Sequence, residues 1–563
     1  MHELVIRGGS VVDGTGAPAI TADIAVTDGL ITEIGRVDGR GQRELAADGL
    51  VVAPGWVDIH THYDGQVTWD PELTPSSWHG VTTVVMGNCG VGFAPVRPDG
   101  KGFLIEVMEG VEDIPGTALH EGIDWDWESF PEYLDALEKT PRTVDVAAQV
   151  PHAALRAYVM GERAHEQDAT AEDIVAMADL AEQGLRAGAC GVSTSRTILH
   201  RSKHGLVPGT EALPVELLGL AEAIARAGHG VFQLVSDHQG GAGDRDWLVD
   251  LVDRTGVKAT YTLAQAPYAP DRWRDALAAT DADLRAGRRI TPQVACRPTG
   301  MLFGLQSSLH PFSTHPSYRA VERLPLAERV AYLARPEVRA ALLAEAPATD
   351  NVIALALMQR WDQIFPLGDP PDYEPPRSAS VAGVAERERR DPQEVALDWL
   401  LEREGTALLF APLATYMDHD HEVVREMMTH PHTVLGLSDG GAHCGLICDV
   451  SMPTYLLTHW VNGRERGPRI GLEHAVSLQT SRTAAAYGFT DRGVLRPGMR
   501  ADINLIDLEG MHLRAPEMVF DLPAGGRRLI QKADGYVATL LAGQVTMEHG
   551  DMTGTRSGGL VRL

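Results

Sequence analysis

Apolar and polar residues alternate along the first fifty positions. The stretches ELVIRGGSVVDG, ADIAVTDGLITEIG and LVVAPG interleave β-branched with polar residues and are broken by Gly-Gly and Asp-Gly pairs. Alternation with period two predicts strands with one buried face, and Asp-Gly suits a tight hairpin turn. The pattern returns at the other end, in VLRPGMRADINLIDLEG and GYVATLLAGQVTMEHGDMTG. Both ends of the chain therefore predict small β units.

Between them the period changes. Helical stretches rich in Ala and Leu, such as AEDIVAMADLAEQGLRAGA, PVELLGLAEAIARAG, DRDWLVDLVDRTG and DPQEVALDWLLEREG, alternate with short apolar runs. Several of the helices close on a Gly, the residue that tolerates the left-handed stop. The runs GWVDIHTH, VTTVVMGN, VDVAAQV, GVSTS, GVFQLVSD, KATYTLAQ, ITPQVAC and TVLGLSDG predict eight strands. Strand–helix alternation implies parallel strands with right-handed crossovers, and eight units fit an α/β fold of the (β/α)8 TIM-like barrel type. Two stretches interrupt the pattern: residues 300–350 predict an excursion with helices, and the Pro-rich residues 365–390 predict a surface loop.

The 563 residues are 44% hydrophobic and 22% charged, ordinary values for a globular protein. At ~150 residues per domain the length suggests about four domains, although barrels exceed that average. Asp+Glu 77 against Lys+Arg 49 leaves a net charge of −28, which argues against nucleic acid or an anionic membrane as partner. Five cysteines (Cys89, Cys190, Cys296, Cys444 and Cys448) make no disulfide framework. MHELVIRGGSVVDGTG shows no signal peptide, and no apolar run of ~18 residues predicts a membrane span. A reducing cytoplasm is the expected setting.

Three places carry chemistry. His60 and His62 end the run VDIHTH; residues i and i+2 of a strand share a face, so both imidazoles can chelate one metal ion at the strand's C-terminal end, where barrels keep their active sites. Chance histidines with satisfied ring nitrogens are the plain alternative. Asp439 ends another apolar run in LGLSDGGAH, where it can ligate a metal with one oxygen and take a proton from water with the other, or simply cap a Gly-Gly turn. Cys89 follows the strand VVMGN; a thiolate suits Zn2+, while a lone buried Cys is otherwise packing.

Together with RGGSVVDGTG, DGLITEIG, VVAPGWVDIHTH, GVLRPGMRADINLIDL and the stretches HTHYDGQVTWDPELTPSSWHGVTTVVMGNCGVGFAP, VPHAALRAYVMG and GACGVSTSRT, these residues resemble the metal-dependent amidohydrolase superfamily, in particular its N-acyl-D-amino-acid deacylase (D-aminoacylase) branch. The resemblance covers nearly the whole chain. It implies a distorted barrel over residues 56–484 and a small β-sandwich domain built from residues 1–55 and 485–563. It maps the metal ligands onto His60, His62, Cys89 and Asp439. The family's two further metal histidines, after strands five and six, are missing: Val235 and Leu263 stand in their places, and His238, three residues past the first in a Gly-rich loop, is a candidate substitute. The simplest expectation is one Zn2+ ion rather than two, held by His60, His62 and Asp439 with or without Cys89; altered chemistry on an inherited scaffold is the alternative.

Other polar residues could face the same mouth. Arg196, His200 and His204 follow the fourth strand, His443 lies four residues past Asp439, and His152 ends the third strand. Arg196 could grip a carboxylate with its planar fork, and His443 could donate to a substrate carbonyl. Ser195 lacks a nucleophile elbow, and neither G-x-G-x-x-G nor a Walker pattern occurs. The expected function is hydrolysis of a small-molecule amide, an N-acyl amino acid of D configuration by resemblance, with Asp439 as general base to a metal-activated water. Alternatives are a cyclic-amide or lactam hydrolase (or amide-forming relative) and a non-catalytic barrel keeping a metal-site relic. Oligomeric state, a homo-oligomer included, stays open.

Overall fold

The computed structural model describes residues 2–237 and 245–563. Eight parallel strands lie side by side in chain order: Trp56–Asp58, Val81–Met86, Asp145–Pro151, Gly191–Arg196, Val231–Ser236, Lys258–Thr262, Ile290–Val294 and Val434–Leu435. Each falls on a predicted apolar run, and they are numbered one to eight below. Strands two and three are buried at every residue, as parallel strands covered by helices must be.

The helices follow the predicted pattern. Ala171–Arg186 starts from a capping box in which the Thr170 hydroxyl accepts from the Asp173 N–H and the Asp173 carboxylate accepts from the Thr170 N–H. Its buried positions Met177, Ala181 and Leu185 recur every four residues and form one apolar stripe. Pro214–Ala227 and Asp246–Thr255 stop at Gly228 and Gly256, with φ of +84° and +71°, a backbone few other residues adopt.

Strands one and eight are short, three and two residues, and the circle closes beyond their ends. The Asp439 N–H donates to the His60 carbonyl at 3.1 Å, the His62 N–H donates to the Gly440 carbonyl at 2.8 Å, and Thr61 and Gly440 pair as a parallel bridge. The Ser438 hydroxyl bonds the Asp58 carboxylate across the same seam.

A second sheet of nine strands draws on both chain ends. Val51–Pro54 pairs with His2–Val11 on one side and antiparallel with Ile503–Ile506 on the other. One residue later the chain enters barrel strand one, so this sheet anchors the approach to the His60–His62 segment. Not all of the C-terminal β structure joins it: Glu517–Leu522 and Gly526–Ile530 form a separate two-stranded sheet.

Between strands seven and eight the chain builds a lobe with its own apolar core, which includes Phe303, Phe312, Leu333, Leu342, Met358, Leu397 and Leu409. Helices Leu326–Leu333 and Pro336–Ala344 occupy the predicted excursion. Residues 365–390, expected as loop, are more ordered: Phe365–Pro366 pairs with the strand Leu409–Pro412, and Val381–Glu388 is a helix capped by the Ser380 hydroxyl. Val381, Val384 and Ala385 enter the lobe's core while Phe365, Leu367 and Tyr373 pack into the main core, which composition alone does not reveal. All five cysteines are buried free thiols, and among the described residues no helix is long and apolar enough to cross a membrane.

Burial also sets the response to acid. His79 is fully buried between elements: its Nδ1 meets the Thr454 hydroxyl at 2.8 Å and its Nε2 donates to the Gln531 carbonyl at 2.9 Å. Burial pulls its pKa down to about 4, and those of His310 and His421 to about 3. The unfolded chain protonates these rings below about 6.5 while the folded chain does not, so stability is lost as pH falls from about 6.5 towards those lower values. In His79→Gln one such ring is gone. Between about pH 7 and 5 this variant should lose on the order of 2 kcal/mol less stability than the parent, as read from urea denaturation at the two pH values.

Candidate metal centre

Strand one delivers His60 and His62 to the C-terminal mouth, both buried. Their rings are oriented from behind. His60 Nδ1 donates to Gln293 Oε1 at 2.8 Å, which leaves the lone pair of Nε2 facing Cys89 Sγ at 3.2 Å. Asp439 Oδ1 lies 3.5 Å from His60 Nε2 and 3.8 Å from His62 Nε2. The seam produces that approach, because the Asp439 N–H is bonded to the His60 carbonyl.

Cys89 sits in the turn Asn88–Gly90 that ends strand two, with φ of +57°. Its N–H donates to Gln233 Oε1 at 3.0 Å, and Asn88 Nδ2 donates to the Val85 and Thr61 carbonyls at 2.9 and 3.1 Å. Asn88 Oδ1 accepts in turn from Gln149 Nε2 at 2.8 Å. Gln149, Gln233 and Gln293 stand on strands three, five and seven. Alternate strands contribute the side chains of one interior layer in such barrels, and here that layer is a neutral amide floor under the site. Sequence reasoning passed over it, although a single glutamine inside each of the runs VDVAAQV, GVFQLVSD and ITPQVAC was visible.

Three further groups complete the cluster. His443, with φ of +52°, brings Nε2 within 4.0 Å of Asp439 Oδ2 and 3.5 Å of Glu112 Oε2. Glu112 also lies 3.2 Å from His62 Nδ1. It ends the helix Lys101–Glu112, and nothing in KGFLIEVMEGVEDIPG sets it apart from a surface acid. His200 joins from the loop after strand four with Nδ1 3.1 Å from the Ser195 hydroxyl, and its charged form is disfavoured by burial and by His443 and His60.

The electrostatics call for a cation. Burial pushes the carboxyls of Asp58, Asp64 and Asp439 up to about 7, and raises Glu112 and the Cys89 thiol well above their ordinary values. Among the described residues no Lys or Arg forms an ion pair with Asp58, Asp64, Glu112 or Asp439. The ligand atoms of His60, His62 and Cys89 lie within 4.8 Å of one another, and Asp439 Oδ1 is buried with no hydrogen-bond partner. Uncompensated buried acids are costly. Two imidazoles, a thiol and a carboxylate are the donor set that Zn2+ takes. The residues fit such an ion.

Other expected site residues have partners of their own. His152 has both ring nitrogens engaged, by Thr194 Oγ1 at 2.9 Å and Glu216 Oε1 at 2.7 Å, and Glu216 also pairs with Arg156. His152 is a packing residue and is not free to meet a substrate. His204 turns outward and pairs with Glu106 at 2.5 Å. Arg196 donates to the Ala212 carbonyl at 2.6 Å and its guanidinium lies 5.5 Å from the Trp247 ring centroid, so the expected carboxylate fork is partly engaged. Leu263 is buried in the apolar core, Val235 pairs with Ser195 at the end of strand five, and His238 lies outside the described residues. Neither side chain can ligate a second ion. A second set of close ligand atoms, on Glu374, His421 and His459, already holds a cation: Arg464 donates to Glu374 at 3.0 and 3.2 Å.

A parallel barrel with an imidazole pair after strand one, a thiol after strand two and a carboxylate after strand eight defines a metal-dependent barrel hydrolase. The sequence profile of the amidohydrolase family matches residues 43–547, and the chain belongs to that family. It is thus a hydrolase of carbon–nitrogen bonds other than peptide bonds. D-aminoacylase of Alcaligenes xylosoxydans xylosoxydans is 28% identical over 512 residues, which cover 90% of this chain and 88% of the relative. N-acyl-D-aspartate deacylase of the same organism is 27% identical over 509 residues, 90% of this chain and 86% of the relative. Among solved structures, N-acyl-D-glutamate deacylase from Bordetella bronchiseptica, complexed with zinc and a phosphonate inhibitor, shares the fold with a TM-score of 0.66 at 24% identity over the whole of both chains.

The Cys89 turn is set by the glycine before it. Gly87 has φ of +78°, and a Cβ there would stand 2.4 Å from the Gln149 carbonyl oxygen. Gly87→Ala should therefore destabilise the fold by about 1–3 kcal/mol and shift Cys89, seen as a lower denaturation midpoint together with reduced metal content after purification.

Proposed function

We propose that the protein deacylates N-acyl-D-amino acids at a one-metal centre, with Zn2+ held by His60, His62, Cys89 and Asp439. One observation carries this reading: Asp439, from the far end of the barrel, stands 3.5 and 3.8 Å from the Nε2 atoms of both imidazoles with its Oδ1 unpartnered. A zinc ion bound there would act as a Lewis acid and lower the pKa of a water molecule to about 7.

The remaining work falls to the chain's own groups. Asp439 accepts the proton of the attacking water; a buried carboxylate is a stronger base than a solvated one. The oxygen adds to the amide carbonyl, and Asp439 returns the proton to the leaving nitrogen as the carbon–nitrogen bond breaks. The products are a carboxylic acid and a free amine. His443 and His200 are held neutral by burial, down to about 4 and 3. Each can therefore donate an N–H to the developing oxyanion without adding a charge. Val235 and Leu263 support one ion rather than two. The D configuration and the amino-acid class rest on the relatives, whose names state that chemistry.

Two experiments test this. Elemental analysis should find about one equivalent of zinc, and a screen of N-acetyl-D- and N-acetyl-L-amino acids should find turnover confined to the D series; turnover of cyclic amides alone would reject the substrate. Asp439→Asn should lower kcat by about 10²–10⁴-fold with an unchanged circular dichroism spectrum. An unaltered kcat in that variant would remove the general base from the mechanism.

A further inference from the structure

Glu112 is 1% exposed, and neither of its carboxylate oxygens has a hydrogen-bond partner. It ends the helix Lys101–Glu112, where the unpaired carbonyls of the last turn repel a negative charge. Its nearest polar atoms are His62 Nδ1, itself buried and without a partner, at 3.2 Å from Oε1, and His443 Nε2 at 3.5 Å from Oε2. Burial, missing partners and helix end all work against an acid here, so the fold itself gains nothing from it.

The other imidazole shows what Glu112 is for. His60 presents Nε2 to Cys89 and Asp439 because Gln293 holds its Nδ1. His62 has the same orientation, with Nε2 towards Asp439 and Nδ1 towards Glu112. A metal ion on Nε2 makes the opposite N–H more acidic and strengthens its bond to a carboxylate, and such outer partners fix both tautomer and ring direction.

We propose that Glu112 is the positioning residue of the centre: it holds the Nδ1 proton of His62 and turns Nε2 to the metal. The assignment rests on the one-metal reading above. The turn that presents Glu112 is laced to the loop after strand eight, since Asp113 Oδ2 accepts from the Gly445 N–H at 3.1 Å and from the Ser308 hydroxyl at 2.6 Å. Helix end, His443 and Asp439 therefore share one frame.

The test uses the full chain, Co2+ as probe, and the variants Glu112→Ala and Glu112→Gln. Metal-free, both variants should melt at a higher temperature than the parent, because an uncompensated buried acid is gone. Loaded, the alanine variant should bind Co2+ about 10–100-fold more weakly with a shifted visible absorption band. Glutamine retains an acceptor oxygen and should lose less, about two- to tenfold. Co2+ affinity and absorption equal to the parent's in either variant would overturn the assignment. So would a lowered melting temperature of the metal-free variants, which marks a merely structural residue. Should the alanine variant fold poorly, the near-isosteric glutamine carries both readouts. A parent protein that takes up no Co2+ would overturn the one-metal reading and this assignment with it.

Discussion

The hydrogen-bonded seam between the first and last barrel strands holds the rest of the structure in place. A parallel barrel ordinarily closes through a long ladder. Here the two closing strands are three and two residues long, so closure depends on the bonds just past their ends. The Asp439 N–H on the His60 carbonyl and the His62 N–H on the Gly440 carbonyl are backbone bonds, insensitive to side-chain drift. They fix the distance between the late carboxylate and the early imidazoles to within a backbone hydrogen bond. The same few atoms that complete the barrel thereby assemble its reactive groups, and a change that loosens one loosens the other.

Below the seam the barrel interior is polar but uncharged. Gln149, Gln233 and Gln293 each satisfy part of the site, through Asn88, the Cys89 N–H and His60 Nδ1 respectively. An amide can serve as donor and acceptor at once, and it neither competes with nor cancels the charge of a bound cation. Above it stand acids whose burial leaves them without a cationic side chain. Neutral floor and acidic wall together make a place whose missing charge is positive. The left-handed backbone at Cys89, Asp439 and His443 shows that this convergence is held against local preference, as at other functional sites.

The barrel was legible because parallel strands are buried on both faces and so appear as short apolar runs whatever surrounds them. The imidazole pair was legible because i and i+2 on a strand share a face by geometry alone. Side chains beyond the strand ends were not, since the direction of a loop residue depends on what packs over it. The run VPHAALR does not tell whether His152 meets a substrate or a neighbour, and Glu216 and Thr194 hold both its nitrogens; His204 faces outward to a helix distant in sequence. Glu112 was invisible for the converse reason: its role comes from His62, which no local pattern joins to it. The glutamines of strands three, five and seven stood in plain view, yet one polar residue in an apolar run has no meaning until the barrel places the three in one layer.

The seam joins residues far apart in time as well as in sequence, since Ser438 follows His60 by 378 positions. A ribosome adding about 5–20 residues per second needs roughly 20–80 s to cover that distance. Through that interval the nascent chain exposes two imidazoles and a thiol with no carboxylate to complete them. Zinc taken up early would be held weakly and open to exchange, whereas an ion arriving after the eighth strand docks would meet the finished pocket. Metallation is therefore expected to follow docking of the eighth strand rather than emergence of the first.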